Sequence, residues 1–436
     1  MNNSHLKIGV AGLGTVGVGV IKMLRNQASL ISLKGGRGVT ITAISARDRS
    51  KDRGLNLSDI RWCDDPIELA ADENVDVVVE LIGGEDGIAK ELVEAAIANG
   101  KHVVTANKAL IAHHGTQLAR SSEAANVTVA FEAAVAGGIP IVKAIKEGLV
   151  GNKILRIFGI LNGTCNFILS EMRQTGKEFD AVLKEAQDLG YAEANPTLDI
   201  DGVDTAHKLA ILTSLAFGCE VNFKGIHIDG IRQISPLDIG FANDLGYRIK
   251  LLGIARQTEL GIEQRVHPCM VPIDAPLAHI EDVFNAVVAE ADFVGTTMYE
   301  GPGAGEGPTA SAVVADIVDI ARDRISNTFA VPAIELEKSK VIPISDHVGS
   351  YYVRFMVLDK PGVFATIANA LKDNDVSMGS VLQRGRSQKE AVPVVLTTHS
   401  TDECSMISTL DLIEKSEAVV EPPCMIRIEP FESLKK

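Results

Sequence analysis

The chain reads as a doubly wound α/β sheet at its N-terminus, then a mixed α+β domain, then a C-terminal βαββαβ unit of the ferredoxin-like kind. Three observations carry this reading. Apolar strands alternate with helical segments in βαβαβ order through residue 130. A glycine-rich turn joins the first strand to the first helix. The last roughly eighty residues, enough for a small domain, carry two strand–helix–strand passages in succession.

With 436 residues the chain exceeds one ordinary domain. Hydrophobic residues make up 46% and charged residues 23%, a composition with enough apolar material for real cores. The net charge is -15, without a basic block, which argues against nucleic acid and anionic membrane as partners. Six cysteines are scattered with no CxxC pair, so neither a disulfide framework nor a zinc signature is read. The N-terminal MNNSHLKIGVAGLG is a strand followed by glycines rather than a signal peptide, and no apolar run approaches a membrane span. A cytoplasmic protein is expected.

Residues 7–11 (KIGVA) read as a buried strand running into Gly12-Leu13-Gly14-Thr15-Val16-Gly17, a G-x-G-x-x-G, and then a helix to about residue 26. Flanked this way, the motif is the dinucleotide fingerprint of a Rossmann-type domain. Gly12 allows the tight turn, Gly14 the approach of a pyrophosphate, and Gly17 close helix–strand packing. The helix N-terminus offers free N–H groups to phosphate. After a glycine-rich loop at 34–38, residues 39–45 (VTITAIS) form the second strand. An NAD site usually places an acid at its end. Here Arg47 stands there, with Arg49 and Lys51 behind it, so a 2′-phosphate and NADP(H) are favoured. Asp48 leaves NAD(H) open, and a solvated basic turn is the plainer alternative. Strand 75–81 ends in Ile82-Gly83-Gly84, helix 87–99 stops at Gly100, and strand 101–105 ends in Thr105-Ala106-Asn107-Lys108. Gly84, Thr105 and Lys108 therefore sit where open α/β sheets bind ligands. A helix to 126 and strand 127–130 complete the first domain, placed at 1–135.

In the loop 131–140 (FEAAVAGGIP) Glu132 is the lone charge. A carboxylate beside carbonyls of Val135, Gly137 and Ile139 suits a hard cation, and equally an ordinary turn. A second domain is expected over 136–309. Within it, residues 190–217 pass from a turn glycine through four acids (Glu193, Asp199, Asp201, Asp204) into a largely apolar helix. Asp204 and Lys208 are four apart and share a helical face. They read either as a surface ion pair or as an acid/base pair. The glycine-rich 301–307 permits close approach of backbone to ligand, and helix 310–324 is expected to pack back on the first domain. A linker is read at 325–348 and the βαββαβ unit at 349–430. His113, His114 and His207 show no metal-ligand partners, and His207 points away from the face of Lys208.

Three separated features coincide: Gly12 to Gly17, Asn107-Lys108, and Asp199-x-Asp-Gly-x-Asp204-x-x-x-Lys208 joined to Gly190-Tyr-x-Glu-Ala-x-Pro. Together they resemble homoserine dehydrogenase over essentially the whole chain, in its monofunctional form with a C-terminal ACT domain. The resemblance implies reversible NAD(P)(H)-dependent interconversion of L-aspartate 4-semialdehyde and L-homoserine, in the biosynthesis of threonine, methionine and isoleucine. It casts Lys208 as proton donor and acceptor, and Glu193, Asp204 and Asp199 as substrate-binding residues. Lys108, Gly190 and Gly305 match positions at the cofactor. It further implies a sodium ion at Glu132, Val135, Gly137 and Ile139, L-threonine as effector at the ACT domain, and a homodimer or homotetramer.

Two rival readings differ in the residues they need. A semialdehyde dehydrogenase acting through Cys165 needs a thiolate beside a histidine base, and no histidine is near it in sequence. A non-catalytic sensor of NADP and amino acids would have lost Lys208, Asp204 or Glu193, and all three are present.

Overall fold

A computed structural model describes residues 5–324, 326–384 and 390–431. The first position of the expected linker, residue 325, and residues 385–389 of the expected C-terminal unit lie outside the described residues. The N-terminal half builds β1 (Leu6–Ala11), α1 (Thr15–Asn26), α2 (Ala28–Gly35), β2 (Val39–Ser45), β3 (Arg61–Cys63), α3 (Ile67–Ala71) and β4 (Val77–Glu80). It continues with α4 (Ile88–Ala98), β5 (His102–Thr105), α5 (Lys108–Ala124) and β6 (Val129–Ala130). The strands order as β3-β2-β1-β4-β5-β6, all parallel. The order reverses at β1, where a doubly wound sheet opens a crevice. Register lines up Ser45, Ala11, Glu80 and Thr105 in one row at the carboxyl edge. Both faces are covered, so the strands are apolar throughout. Val77 and Val79 face one core with Val20, Ile21 and Ile317, while Val78 faces the other with Leu92 and Val103. Helix α2 takes in the first two residues of the glycine-rich loop read at 34–38, and β3 carried too few residues to register as a strand.

The next stretch contains α6 (Ile141–Lys143), β7 (Ile154–Ile160), α7 (Gly163–Thr175), α8 (Phe179–Asp188), α9 (Thr197–Ile200) and α10 (Val203–Phe217). Then come β8 (His227–Ile228), α11 (Pro236–Asp244), β9 (Tyr247–Thr258), β10 (Gly261–Pro272), β11 (Phe284–Ala291), β12 (Gly295–Pro302) and α12 (Glu306–Ala321). Helix α12 packs against α1, where a Cβ on Gly19 would lie 2.8 Å from the Glu306 carbonyl oxygen. Only glycine permits that approach.

The remaining elements are β13 (Val348–Leu358), α13 (Val363–Asp373), β14 (Met378–Gln383), β15 (Ala391–Thr398), β16 (Thr401–Asp402), α14 (Glu403–Glu414) and β17 (Cys424–Ile428). Strands β17-β13-β15-β14 form an antiparallel split βαβ sheet with two helices. Its edge is not free: β17 pairs in parallel with β10, so the C-terminal unit extends the sheet of the preceding domain. Buried ion pairs line this junction. Asp238, fully buried, accepts from Arg354 Nε at 2.7 Å and from the Tyr352 hydroxyl at 3.0 Å. Arg265 reaches Glu429 at 2.5 Å. Among the described residues no helix is long and apolar enough to cross a membrane.

Candidate active site

The first half of the site is the crevice at the carboxyl edge of the parallel sheet. Gly12 has φ +101°, and a Cβ there would fall 2.4 Å from the Leu81 carbonyl oxygen. A Cβ on Gly17 would fall 2.1 Å from the Gly12 carbonyl oxygen, so the turn and the helix that follows it close only with glycine. Nothing stands beside Gly14, and α1 has no side-chain cap. The first-turn N–H groups, around Thr15 and Val16, are thus left for an anion. A cavity of about 550 Å³ lies here, lined by Gly12, Gly14, Ser45, Arg47, Arg53 and Ile82 among others.

Arg53 is a residue that sequence reading passed over. Its guanidinium donates to the carbonyls of Leu13 (3.2 Å) and Asp48 (2.6 Å) and lies over the Trp62 ring at 5.6 Å. It sits six residues past Arg47, well beyond the strand end where a dinucleotide fold places its ribose-side charge. Asp48 turns its carboxylate onto its own loop, accepting from the Ser50 N–H and hydroxyl at 2.8 and 2.6 Å. Those two bonds hold its pKa below the usual carboxylate range.

Glu80, also unremarked in the sequence, shapes the next loop. Fully buried, it accepts from the N–H groups of Ile82 and Gly83 and from the Thr105 hydroxyl at 2.5 Å. Thr105 in turn accepts from the Asn107 N–H, and the Asn107 amide donates to the Gly84 carbonyl at 2.7 Å. Thr105 is buried and its hydroxyl is committed to this loop, so it orients Asn107 and Lys108 at the start of α5. An acid ending an otherwise apolar buried strand was the available signal.

The second half is α10. Asp204, on its first turn, is buried between two lysines: Lys208 Nζ at 2.8 Å and Lys108 Nζ at 2.6 Å. Lys208 also donates to the Leu161 carbonyl at 2.6 Å. Burial lowers the Lys208 pKa, and Lys108 adds to the fall against the pull of Asp204. Lys108 is 43% exposed at its side chain and shifts the other way, raised first by Asp204. Burial would raise the Asp204 pKa, but the two ammonium groups overcome it and hold the carboxyl strongly ionised. Asn162 ties the cluster together, donating to Asp199 at 2.7 Å and to Asp204 at 2.8 Å while capping α7 through the Cys165 N–H. An asparagine between an apolar strand and a helix is a capping signal that could have pointed to it. Glu193 is exposed in the loop after α8 and acts on Lys108 through its charge. Gly190 ends the turn after α8 with φ +78°.

The Cys165 thiol is buried and donates to the Asp199 carbonyl at 3.2 Å. Burial, then Asp199, push its pKa well above 9, which disfavours the thiolate that a thiohemiacetal route requires.

Glu132 corrects an expectation. Its carboxylate is engaged elsewhere: the oxygens accept from the Val142 and Lys143 N–H groups at 2.9 Å, at the start of α6. A buried carboxylate takes the nearest unpaired helix donors. Burial, then Asp316, raise its pKa to about 7. The loop carrying Val135, Gly137 and Ile139 instead packs on the 302–305 loop: Gly138 N–H donates to Pro302 at 3.0 Å. A Cβ on Gly137 would lie 2.4 Å from the Gly303 oxygen. Gly305, with φ +120°, starts α12 without a side-chain cap.

His207 is 7% exposed, not solvent-facing, and stacks on Phe223 at 4.7 Å. Burial and His113 lower its pKa to about 4. A depressed histidine pKa means that the unfolded chain binds the proton more readily. Stability is therefore full above about pH 6.5 and lost as pH falls toward 4. In His207→Gln the thermal midpoint should vary less steeply over that window than in the parent chain; equal slopes would contradict the assignment.

A dinucleotide crevice facing a buried lysine–carboxylate centre across two packed domains defines a nicotinamide-dependent oxidoreductase. Comparison with known proteins narrows the class. A family model described as "Homoserine dehydrogenase, NAD binding domain" matches residues 12–132, and one described as "Homoserine dehydrogenase" matches 140–318. The chain belongs to the homoserine dehydrogenase family. It is 48% identical over 431 residues to homoserine dehydrogenase of Neisseria gonorrhoeae, covering 97% of this chain and 98% of that one. It is 45% identical to the Pseudomonas aeruginosa enzyme, covering 97% and 99%. A homoserine dehydrogenase structure from Thiobacillus denitrificans superposes with TM-score 0.92 at 45% identity, covering 98% of each chain. A hyperthermophilic archaeal homoserine dehydrogenase in complex with NADPH superposes at 0.64 and 26% identity, over 74% of this chain and all of that one.

Proposed function

We propose that this chain interconverts L-aspartate 4-semialdehyde and L-homoserine using NADP(H) in preference to NAD(H), with Lys208 as the proton donor in reduction. The observation that carries the proposal is the Lys208 ammonium, buried between Asp204 and the Leu161 carbonyl beside a second ammonium. The crevice lined by Gly12, Gly14 and Arg47 would hold NADPH, which would supply the hydride to the aldehyde carbon. Negative charge then builds on the aldehyde oxygen, and an ammonium within a dry pocket stabilises that charge and delivers a proton. The lowered pKa of Lys208 makes the proton easier to release, which burial achieves against the surrounding carboxylates. Lys108 stands at the strand end beside the crevice and neutralises Asp204. Glu193, Asp199 and Asp204 supply carboxylates for the substrate ammonium, and Gly84, Gly190 and Gly305 leave backbone open toward the cofactor.

Preference for NADP(H) rests on Arg47, Lys51 and Arg53 lining the crevice while Asp48 is occupied by Ser50. Absorbance at the reduced nicotinamide band, with L-aspartate 4-semialdehyde and either NADPH or NADH, tests both claims. Rapid oxidation of NADPH is expected; tight NADPH binding without turnover would discard the reaction. In Arg47→Ala the KM for NADPH should rise roughly tenfold, the worth of about one charge-assisted hydrogen bond, with the KM for NADH unchanged. Equal rises for the two would remove Arg47 from phosphate recognition.

A sodium ion in the 131–140 loop would have to use main-chain carbonyls of Glu132, Val135, Gly137 and Ile139, because the Glu132 carboxylate is engaged elsewhere. Left-handed backbone at Ala136 and Gly137, φ 55° and 49°, supports such a turning-in of carbonyls. The fit is partial, since the Ile139 carbonyl already accepts the Ile141 N–H at 2.8 Å. The C-terminal split βαβ unit is assigned as an ACT domain that binds L-threonine. Gly362 at φ +97° turns Asp359-Lys360-Pro361 into α13, and Phe364, Met378 and Val381 leave apolar surface exposed for pairing of units in a homodimer or homotetramer.

A further inference from the structure

Next to the lysine–carboxylate centre the fold assembles a second constellation that the proposed reaction does not use. Glu85 directly follows Gly84 in the loop after β4, His113 lies on α5, and His207 lies on α10. One carboxylate oxygen and one ring nitrogen from each histidine all fall within 4.8 Å of one another. His113 Nε2 stands 3.0 Å from Glu85 Oε2. Both imidazoles rest on the Phe223 ring, at 4.6 and 4.7 Å between centroids, which limits how far either can turn. His113 and His207 meet edge to face at 5.4 Å. The absence of ligand partners read from the sequence is thereby corrected: the partners come from three segments far apart in the chain.

We propose that Glu85, His113 and His207 bind one divalent ion of the zinc class and, through it, tie the nucleotide-binding domain to the helix that carries Lys208. Two imidazoles and one carboxylate form a ligand set suited to zinc, with a fourth position left for water. Bonds of about 2.0–2.2 Å require the three atoms to draw closer than they stand. The Glu85 side chain, 53% exposed, is free to make that movement. The ammonium groups of Lys108 and Lys208 oppose a cation here, and Asp204 and Glu85 offset them. The plain alternative is a histidine–glutamate hydrogen-bonded pair packed on the Phe223 ring, which would hold no metal.

The two alternatives separate in a titration of the full chain with Co2+, followed by visible absorption and without substrate. The expected result is an intense four- or five-coordinate spectrum that Zn2+ displaces. Glu85→Gln and His113→Asn should each weaken Co2+ binding by at least about tenfold, since loss of even an outer-shell partner typically costs 10- to 100-fold. Both variants should keep basal turnover, and saturating Zn2+ should slow NADPH oxidation by the parent chain but not by His113→Asn. Four results would overturn the proposal: no bound Co2+, unchanged affinity in both variants, a sulfur-to-metal charge-transfer band showing cysteine ligation, or a Zn2+-saturated parent chain with unaltered turnover.

Discussion

Lys208→Ala is expected to lower turnover by about 10²- to 10⁴-fold, the usual contribution of a positioned acid, with NADPH affinity unchanged. The ammonium it removes is the buried donor held by both Asp204 and the Leu161 carbonyl at the base of the site. Lys208→Arg should not rescue the rate, because a guanidinium stays protonated and its planar fork does not fit a site built for a point charge. In the parent chain, the reductive rate should fall as pH rises through a pKa below the ordinary lysine range, since reduction needs Lys208 charged. Steady-state rates against pH, with fluorescence titration of NADPH, check both statements. Near-normal turnover in Lys208→Ala would remove the lysine from proton transfer and leave Lys108 or water in its place.

Asp204→Asn should be nearly as damaging and for a different reason. The carboxylate neutralises Lys108 and Lys208 together, and Asn keeps the shape while removing the charge. Two ammonium groups would then face each other with Lys208 buried, so its pKa falls further and its protonated fraction shrinks. Turnover should drop by roughly 10²-fold or more, and the alkaline limb of the pH profile should move to lower pH. Leaving a buried ammonium unpaired typically costs about 3–5 kcal/mol. The loss here should lie below that range, because Lys208 keeps the Leu161 carbonyl and Lys108, 43% exposed, can turn to water. A thermal midpoint measured beside the pH profile separates loss of fold from loss of charge. An unmoved pH profile in a stable variant would show that Asp204 does not tune Lys208.

Much of the nucleotide half was legible because its signals are local. The strand before Gly12, the glycine spacing and the helix after it lie within some twenty consecutive residues, and backbone sterics at Gly12 and Gly17 leave no other residue type there. Asp204 and Lys208 were paired correctly by helical spacing alone. Asn162, Glu80 and Arg53 escaped notice because each acts on a partner that its own segment does not contain. Where the Glu132 carboxylate points was not legible, because its partners are the N–H groups of residues ten and eleven positions on.

The sequence by itself determined the main alternation of strands and helices in the first and last units, the phosphate-binding turn, the basic strand end at Arg47 and the helical face shared by Asp204 and Lys208. Tertiary structure decided what those groups become. It brought Lys108 from α5 across to Asp204, placed Asn162 between two acids, and joined β17 to β10 in one sheet. It also decided the direction of the Lys208 pKa, since the neighbouring carboxylates raise it and burial lowers it. Desolvation depends on how much of the whole chain closes over a group, and no window of sequence contains that quantity.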